Sequence, residues 1–138
     1  MALIRANTSG GGGSLTETLL WTNTAPTTAI SSATDYTLSD DIDKYTFIKL
    51  VYRRTTTNAT EYTMYYTPDY ILESNQSGST PRPLPTFGIQ DSSSYMYIRT
   101  FKGYTSDKKK IRIGTCYQQA TTTAQAASCI PLYFYGVK

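Results

Sequence analysis

The chain has 138 residues, a net charge of +3, a charged fraction of 17% and no histidine. This length suits one domain with its own core, and so mild a charge does not predict the dense basic surface of a nucleic-acid-binding protein. The absence of histidine excludes Ser-His-Asp and Cys-His catalytic arrangements and histidine-ligated zinc, and two cysteines are too few for a four-cysteine zinc site. We therefore expect no catalytic residue, no metal and no cofactor.

The first 14 residues are expected to form a flexible arm. Met1–Asn7 is short and weakly apolar, and the four glycines Gly10–Gly13 before Ser14 have the composition of a linker. The segment is either an arm that docks elsewhere or a frayed or engineered terminus, and in each case we expect it to be dispensable for folding. It has too few apolar residues for a secretory signal peptide, so we expect synthesis in a cytoplasm and no membrane insertion.

From Leu15 onward, apolar and polar residues alternate in short runs separated by turn residues, which is typical of antiparallel strands. The eight predicted strands are Leu15–Trp21, Thr34–Leu38, Tyr45–Arg54, Glu61–Thr67, Pro85–Gln90, Tyr95–Lys102, Lys110–Tyr117 and Ser128–Val137. In the first strand we expect Leu15, Leu19 and Trp21 on one face. Eight such strands predict a single all-β domain over residues 15–138, an antiparallel sandwich of jelly-roll type.

Two connections between these strands are the best candidates for a ligand site. Leu72–Thr86 is long for a compact domain, and Gly103–Lys109 is a turn, where an aromatic ring can face outward to stack on a sugar. The predicted contacts are Tyr70, Arg82 and Tyr104. Prolines on both sides of Arg82 restrict its backbone, which limits the entropy lost on binding. The run Lys108–Lys110 predicts either a solvated turn or a contact for phosphate or an anionic glycan.

The cysteines and the acidic residues carry weaker signals. Cys116 and Cys129 are expected on neighbouring strands, either as one disulfide or as two small buried thiols. The acidic residues between Asp40 and Asp43 are typical of turns and caps, and they lack the spacing of a calcium loop. We assign them no catalytic or metal-binding role.

Three stretches carry a resemblance to a known family. They are Ser14–Asn23, Thr37–Tyr45 leading into Ile48–Arg53, and the closing Cys129–Lys138, an apolar strand followed by Gly-Val-Lys. Together they resemble the small carboxy-terminal domains of fibre or receptor-binding proteins of bacteriophages and prophages of Gram-positive bacteria. The resemblance covers about Ser14–Lys138, and it implies a trimeric β-sandwich at a tip or on the surface of a virion.

On this basis we expect a non-enzymatic, homotrimeric virion appendage protein, in a tail or head fibre, that recognises a host surface glycan. Its other partners would be virion proteins, and no nucleic acid. A structural virion protein, such as a capsid decoration or an adaptor, is the first alternative. A stand-alone carbohydrate-binding module is the second.

Overall fold

The computed structural model of the chain describes residues 14–73, 85–90, 95–119 and 123–138. The strands are β1 Glu17–Thr22, β2 Thr34–Thr37, β3 Phe47–Thr55, β4 Glu61–Tyr66, β5 Thr86–Gln90, β6 Met96–Gly103, β7 Lys110–Gln118 and β8 Ser128–Val137. A 3-10 turn lies at Ile42–Lys44, and one short helix, α1, spans Pro68–Glu73. All eight predicted strands are present. In the described ranges, no helix is long and apolar enough to cross a membrane.

The strands form two antiparallel four-stranded sheets, and the predicted all-β sandwich is confirmed. Sheet A has the order β1-β8-β3-β4, and sheet B has the order β2-β7-β6-β5. The first strand pairs with the last and the second with the seventh, which is the nested pairing of a jelly roll. The inner strands depart from that scheme, because β3 pairs with β4 and β5 with β6 as sequence neighbours.

Strand β1 differs from the face predicted for it. The pairing of β1 with β8 shifts between Leu19 and Trp21, which marks a β-bulge. Leu19 is 48% exposed and Leu20 is buried at 3%, as alternation requires, but the inserted residue places Trp21 opposite the buried Phe134, so Trp21 also packs against the core. The prediction that Leu15, Leu19 and Trp21 lie on one face was wrong, because Leu15 and Leu19 are exposed whereas Trp21 packs against the core. Simple period-two alternation cannot show an inserted residue.

The core lies between the sheets and is rich in aromatic rings. Phe101 lies 5.9 Å from Phe134 and 4.8 Å from Tyr66, measured between ring centroids. The hydroxyl groups of two buried tyrosines of sheet A reach across to sheet B. Tyr66 donates to the carbonyl oxygen of Thr86 at 2.5 Å, and Tyr52 donates to that of Gly88 at 2.6 Å. These bonds hold edge strand β5 against sheet A, and burial raises the pKa of Tyr52 to about 12.

Arg99, on β6, is fully buried in the same core. Its guanidinium donates five hydrogen bonds, one for each N–H group. The acceptors are the carbonyl oxygens of Ile30, Gly114, Ala126, Ser128 and Cys129, at 2.7–3.3 Å. Burial lowers the pKa of Arg99, yet an arginine stays protonated in proteins. A buried cation is therefore stabilised by carbonyl dipoles in place of a carboxylate.

Helix α1 was not predicted, because six residues are too few to display a helical period. Pro68 begins it, at the helix position where a missing N–H group costs nothing, and the Ile71 amide bonds to the Thr67 carbonyl at 3.3 Å. Ile71 is fully buried and lies against Gly103 at the end of β6. The helix thus closes one end of the sandwich.

The closing Gly-Val-Lys sequence has a packing role. A Cβ atom at Gly136 would lie 2.4 Å from the ring of Tyr45, so only glycine lets that ring cover β8. The Lys138 ammonium lies 5.2 Å from the centroid of the same ring. This contact gives a structural reason for a glycine near the end of an otherwise apolar strand.

We predict that replacing Arg99 destabilises the fold strongly. Arg99→Met keeps much of the side-chain volume but removes the Arg99 donors from five carbonyl groups, three of them in buried bonds. The Ala126 carbonyl keeps its bond from the Ile30 N–H, and each buried group left unsatisfied costs about 1–3 kcal/mol. Urea unfolding should show a loss of at least about 3 kcal/mol. Arg99→Lys should recover part of it, since an ammonium has three donors. The exposed Arg112→Met is the control, and equal losses in both methionine variants would contradict this role.

Candidate functional site

Tyr104, a predicted contact, lies at the centre of a charged cluster in the turn between β6 and β7. Its hydroxyl donates to Asp35 Oδ1 at 3.0 Å, and the same oxygen accepts a bond from Arg112 Nε at 2.7 Å. The ammonium groups of Lys102 and Lys110 lie 5.5 and 5.4 Å from the Tyr104 ring centroid. We call these five residues the Tyr104 cluster. It holds three cations and one carboxylate.

The register of sheet B explains how residues from three strands meet. Arg112 on β7 pairs with Asp35 on β2 and with Lys102 on β6, so the three side chains form one row across the sheet. The alternate residues, such as Ile111, face the core and are buried. The row therefore lies on the outer face of sheet B, with the Tyr104 turn at its end.

Within the cluster, Asp35 neutralises Arg112, and the positive charges of the two lysines remain. Loss of hydration raises the pKa of Asp35, but the hydrogen bonds from Arg112 and Tyr104 outweigh it and hold that pKa below its usual value. Asp35 is thus an anion committed to those two groups. Among the ion pairs of the described residues, none involves Lys102 or Lys110. Their charge is available to an anionic ligand.

The lysines of the Lys108–Lys110 run differ in their contacts: some belong to the turn, and one lies beside the Tyr104 ring. Lys108 forms an ion pair with Asp43, and the Lys109 amide bonds to Asp107 within the turn. Only Lys110 joins the Tyr104 cluster. The other lysine of the cluster, Lys102, was missed by sequence reasoning, because it becomes a neighbour of Lys110 only when β6 and β7 pair.

The acidic segment that precedes β3 has the turn-forming role predicted for it. Asp40 accepts a bond from the Asp41 amide at 2.9 Å and forms an ion pair with Lys44. Asp43 pairs with Lys108. Turn and ion-pair contacts therefore account for these side chains.

Of the other two predicted contacts, the structure describes only Tyr70. Tyr70 lies on α1, half-buried and packed against the hydrophobic core. Arg82 lies outside the described residues. Both stay predictions, and the Tyr104 cluster is the part of the predicted site that the structure describes.

Cys116 and Cys129 lie on consecutive strands of the chain that belong to opposite sheets. Cys116 is on β7 and Cys129 on β8, and both are free and fully buried. A hydrogen bond between the two thiols lowers the pKa of Cys116 and raises that of Cys129, and the nearby Arg99 charge also lowers that of Cys116. The two sulfur atoms are therefore neighbours across the core.

A concave site that sequence reasoning missed lies where β1 and β2 flank an open edge of the sandwich. This cleft has a volume of about 380 Å³, and its walls are Trp21 at the end of β1, Tyr36 on β2 and the connection between those strands. The ring centroids of Trp21 and Tyr36 are 4.7 Å apart. The connection is rich in Thr, Ser and Ala, a composition that predicts only a loop, so no local signal could have revealed a binding wall.

Comparisons with protein-family models, with curated proteins and with solved structures return no match. The Tyr104 cluster and the cleft are the two surfaces of the described residues whose chemistry suits a ligand.

We predict that a mild oxidant joins Cys116 to Cys129. Treatment with diamide would remove two protons and two electrons from the thiol pair, form one S–S bond and reduce the diamide to its hydrazine. The bond would close a loop of about 15 residues and raise the free energy of unfolding by about 3 kcal/mol. Thiol titration in denaturant, before and after oxidation, measures the loss of both thiols. Because both thiols are buried, the oxidant reaches them only when the chain unfolds transiently. If both thiols remain free after such treatment, the predicted pairing is wrong. The Cys116→Ala variant, which cannot form the bond, is the control for the stability measurement.

Proposed function

We propose that the chain is a non-enzymatic recognition domain of a phage virion appendage, which binds an anionic glycan of the bacterial surface through the Tyr104 cluster. One observation carries the choice of site: Lys102 and Lys110 lie beside one tyrosine ring on the outer face of a sheet, and no ion pair among the described residues involves either lysine. The phage context rests on the resemblance of residues Ser14–Lys138 to fibre and receptor-binding domains.

The chemistry of the cluster favours phosphate or carboxylate groups. An ammonium is a compact point charge with three donors, which suits the oxygens of a phosphodiester such as those of teichoic acid. Both lysines already lie near the Tyr104 ring, and the Tyr104 hydroxyl is bonded to Asp35. We therefore expect the ligand to meet the ammonium groups first, with stacking on the ring a lesser contribution.

We predict that Lys102→Gln and Lys110→Gln weaken binding to Gram-positive cell walls. A contact with a charged group contributes about 1.5 kcal/mol or more, so each variant should bind at least about tenfold more weakly at low salt. Binding of the native protein should fall steeply as salt rises. Sedimentation of the protein with purified walls measures both effects. Walls stripped of their phosphate polymers with hydrofluoric acid should retain little protein.

Lys109→Gln is the matched control, because it removes the same charge from the residue next to Lys110 but lies outside the cluster. It should bind as the native protein does. If all three variants bind alike, or if stripped walls retain full binding, the proposed role of the cluster is wrong. Circular dichroism should show that all the variants stay folded, since these side chains are partly or fully exposed.

A second candidate function, assembly within a virion, is favoured by the outer face of sheet A. Leu19, Tyr135, Lys49 and Tyr65 form one row across all four strands, and Leu19 and Tyr65 are 48% and 41% exposed. Glu17 neutralises Lys49 through contacts at 2.8 and 2.9 Å. This row is therefore largely apolar and aromatic, and its one charge is neutralised, so identical copies could pack on it with little electrostatic repulsion. We propose a homotrimer assembled through this face.

Light scattering tests this assembly. The native chain should give three times its 15.4 kDa mass at micromolar concentration, and the double variant Leu19→Lys with Tyr65→Lys should give the monomer mass, because two buried charges would oppose packing. Tyr117→Lys is the control, since Tyr117 is 48% exposed on sheet B and should not affect assembly. A native protein of monomer mass would count against the trimer.

A further inference from the structure

The cleft between β1 and β2 differs in chemistry from the Tyr104 cluster. Its walls carry the partly exposed rings of Trp21 and Tyr36 together with the hydroxyl groups of several threonines and serines, and no charged residue is among them. We propose that this cleft is a second ligand site, which binds an uncharged saccharide unit. The inference does not depend on the Tyr104 cluster.

The aromatic rings and the hydroxyl groups that line the cleft suit the apolar faces and the hydroxyl groups of a sugar. A pyranose has apolar C–H faces that pack on aromatic rings, and the two tilted rings, 4.7 Å apart, present such a surface beside the opening. Its hydroxyl groups each donate and accept hydrogen bonds, as those of Thr24, Thr28 and Ser31 do. These three side chains are exposed at the cleft, and among the described residues none of them forms a hydrogen bond, so their hydroxyl groups are available to a ligand. The volume of about 380 Å³ lies in the range of about 300–1,000 Å³ usual for small-ligand sites.

The loop that forms the wall is held in place at both ends. At one end, the Asn23 amide group donates to the Pro131 carbonyl at 2.8 Å, and the Asn23 backbone N–H donates to that of Leu132, also at 2.8 Å. At the other end, the Ile30 N–H donates to the Ala126 carbonyl at 3.0 Å, and the Ile30 carbonyl accepts a bond from Arg99. Because these contacts order the wall before any ligand binds, little conformational entropy remains to be lost on binding.

The neighbouring strand separates the two sites. Thr34 and Tyr36 line the cleft, whereas Asp35, between them on β2, faces outward into the Tyr104 cluster. The cleft and the cluster therefore lie on opposite sides of one edge strand. Substitutions in one can be made without touching the other, so the two proposals can fail separately.

The fluorescence of Trp21 tests the site directly, because it is the only tryptophan of the chain. We would titrate the protein with the methyl glycosides of glucose, galactose, N-acetylglucosamine, N-acetylgalactosamine and rhamnose. We expect at least one of them to cause a saturable change at millimolar concentration, as is usual for a single small ligand with few polar contacts. Ala29→Tyr should abolish the change, since it places a large side chain in the cleft from an exposed loop position.

Ala33→Tyr is the matched control, because Ala33 is exposed in the same loop but does not line the cleft, and it should bind like the native protein. Tyr36→Phe keeps the ring and should weaken binding by about threefold to tenfold, through the lost hydroxyl contact. The Lys102→Gln and Lys110→Gln variants should be unaffected. No saturable change with any of the five glycosides, or equal binding by the Ala29→Tyr and Ala33→Tyr variants, would overturn the proposal.

Discussion

The buried guanidinium of Arg99 is the interaction on which the rest of this structure depends. A cation is expensive to bury, and among the described residues five carbonyl groups stabilise this one. Those carbonyls come from β7, β8 and the two connections that precede β2 and β8. One side chain of sheet B therefore binds to strand β8 of sheet A as well as to its own sheet. It also gives hydrogen-bond donors to the carbonyl groups of two connecting loops, which an apolar side chain could not do. Five directed bonds also specify one arrangement of these segments, which non-directional hydrophobic contact would not do.

Both candidate binding surfaces depend on this arrangement. The wall of the cleft begins where Asn23 bonds to β8 and ends where Ile30 meets Arg99, so its shape is set by polar contacts with the core. The Tyr104 cluster lies on the outer face of sheet B, and Ile111 and Ile113, the inner neighbours of Arg112 on β7, are buried in the core on the same side of the sheet as Arg99. A rigid sandwich with polar groups on its edges is well suited to recognition, because little of the binding energy is spent on ordering the protein.

The tyrosine hydroxyl group gives this sandwich contacts that phenylalanine could not provide. The chain has 13 tyrosines and four phenylalanines. Tyr52 and Tyr66 use their rings to fill the core and their hydroxyls to hold β5, whereas the tyrosines on the outer face of sheet A leave their polar ends at the surface. The same residue type therefore supplies inter-sheet bonds inside and a broad aromatic surface outside. That outer surface is the basis for the proposed assembly.

The sequence by itself determined the fold class and the positions of all eight strands, because period-two alternation and turn residues are local signals that survive without tertiary contacts. It also identified Tyr104. Only the tertiary structure decided which residues surround Tyr104, since Asp35, Lys102 and Arg112 meet through strand pairing across long stretches of chain. The bulge in β1, the facing sheets of the two cysteines and the cleft beside Trp21 were hidden for the same reason. Arg99 is the clearest case: on an alternating strand a charged residue predicts a solvated face, and only five carbonyl groups brought together from distant segments make its burial favourable.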